Sequence, residues 1–200
     1  MRFTFLGTAA AEGIPGIFCN CKICEDTRKL RGKNIRTRSQ ALINNDLLID
    51  LPPDTYMHTL YGGLDIHKIH ECIITHDHQD HFYLEELFMR AQGFAQIKDR
   101  QSLNLYGSRT VTDKLNSYPI IRGMVEADRI KINEVKPFEH FFAKEYKITP
   151  LLADHSADNS LIYLIEKDQK RVLYAHDTGI FPQETCICIG GGIRRDKSAT

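Results

Sequence analysis

The stretch "THDHQDH", Thr75 to His81, follows the apolar run Cys72-Ile73-Ile74 and holds three of the nine histidines and two aspartates. A short apolar run of this kind reads as a buried strand, so the ligand-rich residues after it must lie in the loop at its end. Alternate side chains of an extended segment point the same way. His76 and His78 therefore reach one point, while Asp77 and Gln79 turn away. Asp80 and His81, past the bend, can address a second point beside the first. Imidazole nitrogens and carboxylate oxygens in this layout suit Zn²⁺ and, less selectively, Mn²⁺ or Fe²⁺. One exposed histidine would carry no such meaning, but four ligand-type residues at this spacing do.

With 200 residues, 42% of them hydrophobic, the chain can fill one substantial core, which predicts a single domain over 1–200. Lys+Arg and Asp+Glu are equal at 26 each, so there is no basic field for an extended nucleic-acid backbone. "MRFTFLGTAA" has no long apolar segment and no run approaches a membrane span, so no membrane association and a cytoplasmic location are expected. Of six cysteines, Cys19, Cys21 and Cys24 crowd into "CNCKIC". That spacing favours metal binding in a reduced compartment over disulfides.

The pattern along the chain is mixed α/β. "RFTFL" alternates as a strand, and "KICEDTRKLRG" reads as a short helix. "SQALINN" and "DLLIDL" form a hairpin around Asn44-Asn45-Asp46, and "PPDTYMHTLYGG" starts and ends as a helix should. "HECIITH" is a buried strand and "FYLEELFMRAQ" has helical spacing. A strand "SLNLYG", a helix "SRTVTDKLNSY" and the strands "RIKINEV", "HFFAKEYKITPLLAD", "SLIYLIEK" and "KRVLYAHD" follow. "QETCICI" begins like one more strand before the chain dissolves into glycines and a basic patch, which reads as an abrupt stop.

At the histidine window the sequence resembles the metallo-β-lactamase-fold hydrolases, whose hallmark is "HxHxDH" in a strand-to-helix loop. The resemblance implies an α/β (α+β) fold, a four-layer αββα sandwich, here with its C-terminal part truncated. It also implies a later histidine on the first ion, matched by His155 in "LLADHS", and a later aspartate bridging both ions, matched by Asp177 in "YAHDTG". The implied ligand set is His76, His78 and His155 for one ion and Asp80, His81 and Asp177 for the other. Asp80 is also a catalytic candidate. His176 either packs and hydrogen-bonds or positions substrate and leaving group. Asp50, ending "LLID", resembles the aspartate that supports the metal loop from behind; a simple strand-end turn is the alternative.

The opening "GTAAAEGIPGIFCNCKIC" resembles the subgroup of this fold that includes the cyclic phosphodiesterase of phosphonate breakdown. There the three thiolates hold a structural Zn²⁺, which would place one on Cys19, Cys21 and Cys24. That subgroup takes further histidine ligands near its C-terminus, and no histidine follows His176 here. The implied activity is hydrolysis by a hydroxide bridging two Zn²⁺ ions, with a small phosphodiester or cyclic nucleotide-like substrate. The 3′ tRNA-processing nucleases of the same fold are an alternative, as is a non-catalytic metal-binding remnant. A homodimer is left open.

Overall fold

The computed structural model describes residues 1–98 and 101–190. Its strands form two sheets. The first has six strands in the order β1 (Phe3–Gly7), β2 (Gln40–Ile43), β3 (Leu47–Ile49), β4 (Glu71–Ile73), β5 (Leu103–Gly107) and β6 (Ile130–Glu134). β1, β2 and β3 pair antiparallel, and β3 through β6 pair in parallel. The second sheet is wholly antiparallel, in the order β10 (Lys170–Tyr174), β9 (Leu161–Lys167), β8 (Tyr146–Leu152) and β7 (Phe141–Ala143). Helices α1 (Lys22–Leu30), α2 (Thr55–Tyr61), α3 (Arg109–Ser117), α4 (Pro119–Glu126) and α5 (Gln183–Gly190) complete the fold.

Alternation along the strands makes the layers. Ile43, Leu47, Ile49 and Ile73 face Tyr146, Ile148, Tyr163 and Ile165 of the second sheet, forming the core between the sheets. Their neighbours Leu42, Leu48, Cys72 and Leu105 point the other way and pack with Val111, Leu115, Ile121 and Met124 of α3 and α4. A third cluster on the outer face of the second sheet joins Leu151, Ile162 and Leu164 to Phe181 and to Ile189 of α5. The result is the expected helix–sheet–sheet–helix order, with α5 on the far side. Among the described residues no helix is long and apolar enough to cross a membrane.

Turn chemistry sets the register. Asn44 and Asn45 both take positive φ, 47° and 68°, the conformation a tight two-residue hairpin needs. Gly7 lets β1 approach the segment before β2, because a Cβ there would lie 1.9 Å from the carbonyl oxygen of Arg38.

Three expectations are corrected. "HFFAKEYKITPLLAD" is two strands, β7 and β8, since Lys144 at φ 50° turns the chain between them. "FYLEELFMRAQ" gives a 3-10 helix at Leu84–Arg90, in which Leu84 and Leu87, three residues apart, stack on the buried side. "QETCICI" is helix α5 instead of a strand. It begins one residue after Pro182, and Thr185 turns inward to donate its hydroxyl to the carbonyl of Leu152 at 2.9 Å. Of the glycine run and basic patch, Gly190 closes α5 and the remainder lies outside the described residues.

Candidate metal centre

Four strand ends converge on one edge of the sandwich. Asp50 follows β3, the window 75–81 follows β4, His155 follows β8, and His176 and Asp177 follow β10. Tyr163 fixes the end of β4 by donating its hydroxyl to the carbonyl of Ile74 at 2.7 Å, and Leu161 N–H donates to the carbonyl of Thr75 at 2.9 Å. Lys114 of α3 donates to the carbonyl of Asp77 at 2.6 Å and pins the outer side of the loop.

Two donor groups form, and His76 belongs to both. His76, His78 and His155 present ring nitrogens within 4.8 Å of one another, and so do His76, His81 and a carboxylate oxygen of Asp177. His155 Nε2 lies 3.2 Å from His78 Nδ1. Asp80 stands slightly apart, with Oδ2 3.6 Å from His81 Nε2. His81 Nε2 is 3.0 Å from Asp177 Oδ2. His176 Nδ1 is 2.9 Å from Asp177 Oδ1, an ion-pair contact outside hydrogen-bond geometry.

Asp50 is wholly buried behind the centre. Its Oδ1 accepts the Thr75 backbone N–H at 2.8 Å and the Thr75 hydroxyl at 2.9 Å, while Oδ2 sits 2.8 Å from His81 Nδ1. Asp50 and Asp177 both take left-handed backbone, φ 67° and 52°, a conformation that aspartate tolerates better than most residues. The Asp50 carbonyl is held by Gln40 Nε2 at 2.9 Å, and Gln40 Oε1 is bound by His58 Nδ1 at 2.6 Å.

The electrostatics fit a cation. His76 is 1% exposed, and its Nε2 has no hydrogen-bond partner. Burial, then the imidazoles of His81, His155 and His78, lower its pKa to about 3, so the nitrogen keeps a bare lone pair. Burial opposes charge on His81 too, but Asp50 and Asp177 outweigh it and raise that ring to about 10. His176 and His81 hold the Asp177 carboxyl well below the usual carboxylate range. An unpartnered buried imidazole nitrogen is costly unless something electropositive meets it. The donor set of imidazoles and carboxylates supplies the place for such a group.

The spacing of the sequence could not reveal a clasp between the two later loops. Asp154 N–H donates to Thr178 Oγ1 at 3.0 Å, and Gly179 N–H donates to the Asp154 carbonyl at 2.8 Å. A Cβ on Gly179 would lie 2.5 Å from Asp154 Oδ2, the tip of an exposed side chain that would have to swing aside. This ties His155 to Asp177 through their neighbours. Thr75 likewise has a part that nothing in its own position announces.

The three N-terminal cysteines lie elsewhere. Their sulfurs are within 4.8 Å of one another at the start of α1, with Cys24 buried and Cys21 at the N-cap. Hydrogen bonding, led by the Cys24 backbone, lowers the Cys21 thiol. Cys72 is buried in the core, and Cys186 and Cys188 lie on α5.

A family model described as a beta-lactamase superfamily domain matches residues 46–191. Among curated proteins, an octanoyltransferase of Porphyromonas gingivalis is 28% identical over 170 residues, covering 78% of this chain and 31% of that protein. A ribonuclease Z of Listeria monocytogenes is 24% identical over 178 residues, covering 88% and 52%. The chain thus spans 31% and 52% of the length of these two relatives. Among solved structures, Zn²⁺-bound PqqB from Methylobacterium extorquens aligns with TM-score 0.69 at 21% identity, over 88% of this chain and 62% of that one. A diphosphatase of the PhnP family aligns with TM-score 0.59 at 22% identity, over 82% and 60%. At such identities these two likenesses speak for the fold alone.

Proposed function

The chain belongs to the beta-lactamase superfamily, and from that premise we propose that it is a metal-dependent hydrolase of small phosphodiesters. The observation that carries the metal half is that His76 belongs to both donor groups and that its buried Nε2 has no hydrogen-bond partner. His76, His78 and His155 would hold one divalent ion, and Asp80, His81 and Asp177 the second. Zn²⁺ suits this donor set, and Mn²⁺ or Fe²⁺ would also be accepted. Bound ions of this kind supply Lewis acidity, a water of lowered pKa and charge neutralisation at the attacked phosphorus.

The protein's own residues do the rest. Asp50 fixes the ring of His81 and favours one tautomer, as carboxylates behind metal-binding histidines do. Thr75 holds Asp50 in turn. His176, with Nδ1 against Asp177, leaves Nε2 as the atom from which a proton can pass to the leaving oxygen. The phosphodiester half is supported by the cysteine-bearing opening, which resembles that of the phosphodiesterase subgroup. Cys19, Cys21 and Cys24 would hold a structural Zn²⁺ away from the reaction. All six cysteines are unpaired, in keeping with a reducing, cytoplasmic setting.

The likeness to ribonuclease Z favours a second reading, cleavage of tRNA precursors. One experiment separates the two: the zinc-loaded protein is given a bis-aryl phosphodiester, a small cyclic phosphodiester and a tRNA precursor with a 3′ extension. Turnover of the small diesters with little cleavage of the precursor is expected. Cleavage of the precursor alone, falling steeply with salt, would select the nuclease. Metal binding with no turnover of any would leave a non-catalytic metal-binding protein.

A further inference from the structure

We propose that the cavity on the helical face of the first sheet is a binding site for an acyl-chain carboxylate, a ligand with an apolar tail and an anionic head. The cavity measures about 780 Å³ and opens between α2 and the 3-10 helix at Leu84–Arg90, away from the histidine centre. Folded interiors leave few voids larger than a water molecule. Small-molecule pockets, in contrast, run from about 300 to 1,000 Å³. Leu48, Leu51, Cys72, Leu87 and Leu103 form its inner walls, and each is buried within the fold. Such walls offer water few of the polar partners it needs, so an apolar tail is the better occupant.

The polar groups collect around His70 and Arg90. His70 Nδ1 is buried with no hydrogen-bond partner, and the ring lines the cavity. Arg90 also lines it and donates Nε to the Arg129 carbonyl at 2.9 Å and Nη2 to the Gln101 carbonyl at 2.5 Å. Among the described residues its guanidinium meets only neutral carbonyls, and Arg129 adds a second positive group beside it. Burial, then the neighbouring charge of Arg129, lower the Arg90 pKa. Glu86 also faces the cavity, where burial raises its pKa.

Leu51 links this site to the histidine centre. Its side chain lines the cavity, while its backbone N–H donates to the His81 carbonyl at 2.7 Å and its carbonyl accepts the Tyr83 N–H at 2.7 Å. An occupant would press on the residue that follows Asp50.

The test is titration of the purified protein with dodecanoate, with dodecanol as the uncharged control, read by calorimetry and by thermal midpoint. Binding does not depend on the hydrolase reading, so it is measured on metal-loaded and chelator-treated protein alike. The chain has no tryptophan, so Ala95→Trp both fills the cavity wall and adds a single fluorophore. Dodecanoate is expected to bind the parent and raise its thermal midpoint, with dodecanol weaker. Ala95→Trp should weaken dodecanoate by at least about tenfold, or about 1.4 kcal/mol. Met89→Trp, at the half-exposed mouth, carries the same expectation if Ala95→Trp does not fold. No binding to the parent, equal binding of dodecanol, or undiminished binding in the filled variant would overturn the proposal.

Discussion

His81 Nδ1 lies 2.8 Å from Asp50 Oδ2, and both side chains are fully buried. This contact joins two loops 31 residues apart in the sequence and gives a strand-end aspartate a purpose. Asp50→Ala would free the His81 ring and leave the Thr75 N–H and hydroxyl without their acceptor. Loss of such a supporting carboxylate typically weakens metal binding by about 10- to 100-fold. That drop should appear when retained zinc is counted after dialysis. Retention equal to the parent would reduce Asp50 to a turn residue.

A second expectation concerns the clasp between the later loops. Gly179→Ala would bring a Cβ within 2.5 Å of Asp154 Oδ2, a clash that the exposed carboxylate relieves by swinging aside, so the loss should stay near the roughly 0.5 kcal/mol of surface changes. Asp154→Ala removes the obstructing group. The double variant should therefore regain most of the lost stability, measured by denaturant unfolding. Additive losses in the pair would place the strain elsewhere.

At the cysteine cluster, Cys21→Ser should lower zinc content and thermal midpoint while leaving the histidine centre loaded, because a structural zinc contributes to folding directly. An unchanged midpoint and unchanged zinc would reduce the three thiols to ordinary free cysteines.

His58 gives a pH dependence. Burial lowers its pKa below the ordinary histidine value of about 6.5 despite the pull of Asp54. The folded ring resists a proton that the unfolded chain accepts below that pH, so the sign is a loss of stability as pH falls. His58→Gln should flatten the decline that sets in below about pH 6.5. An identical slope in parent and variant would show that other groups set the acid limit.

How far the sequence disclosed this depends on the range of each contact. The clustering of the histidine window was legible because its ligand-type residues sit within seven positions and strand geometry fixes their directions. The hairpin at Asn44-Asn45 was legible for the same local reason. The break between β7 and β8 was not, since Lys144 is an unusual residue for a left-handed turn. The helix at Gln183–Gly190 was hidden by alternating Cys and Ile, which mimic a strand until Phe181 and Ile189 meet Leu151 and Ile162. Thr75, Asp154 and Gly179 act through partners distant in the sequence, and no spacing could announce them.

The central claim is that the histidine centre holds two divalent ions and depends on His76, which belongs to both donor groups. The most direct measurement is the metal stoichiometry of the Cys21→Ser chain, in which the histidine centre is the remaining site, set beside the same chain carrying His76→Ala. The account predicts two divalent ions per chain at saturating zinc, with loss of both tight sites and of phosphodiester turnover once His76 is removed. Equal metal content and equal turnover in the two chains would contradict it.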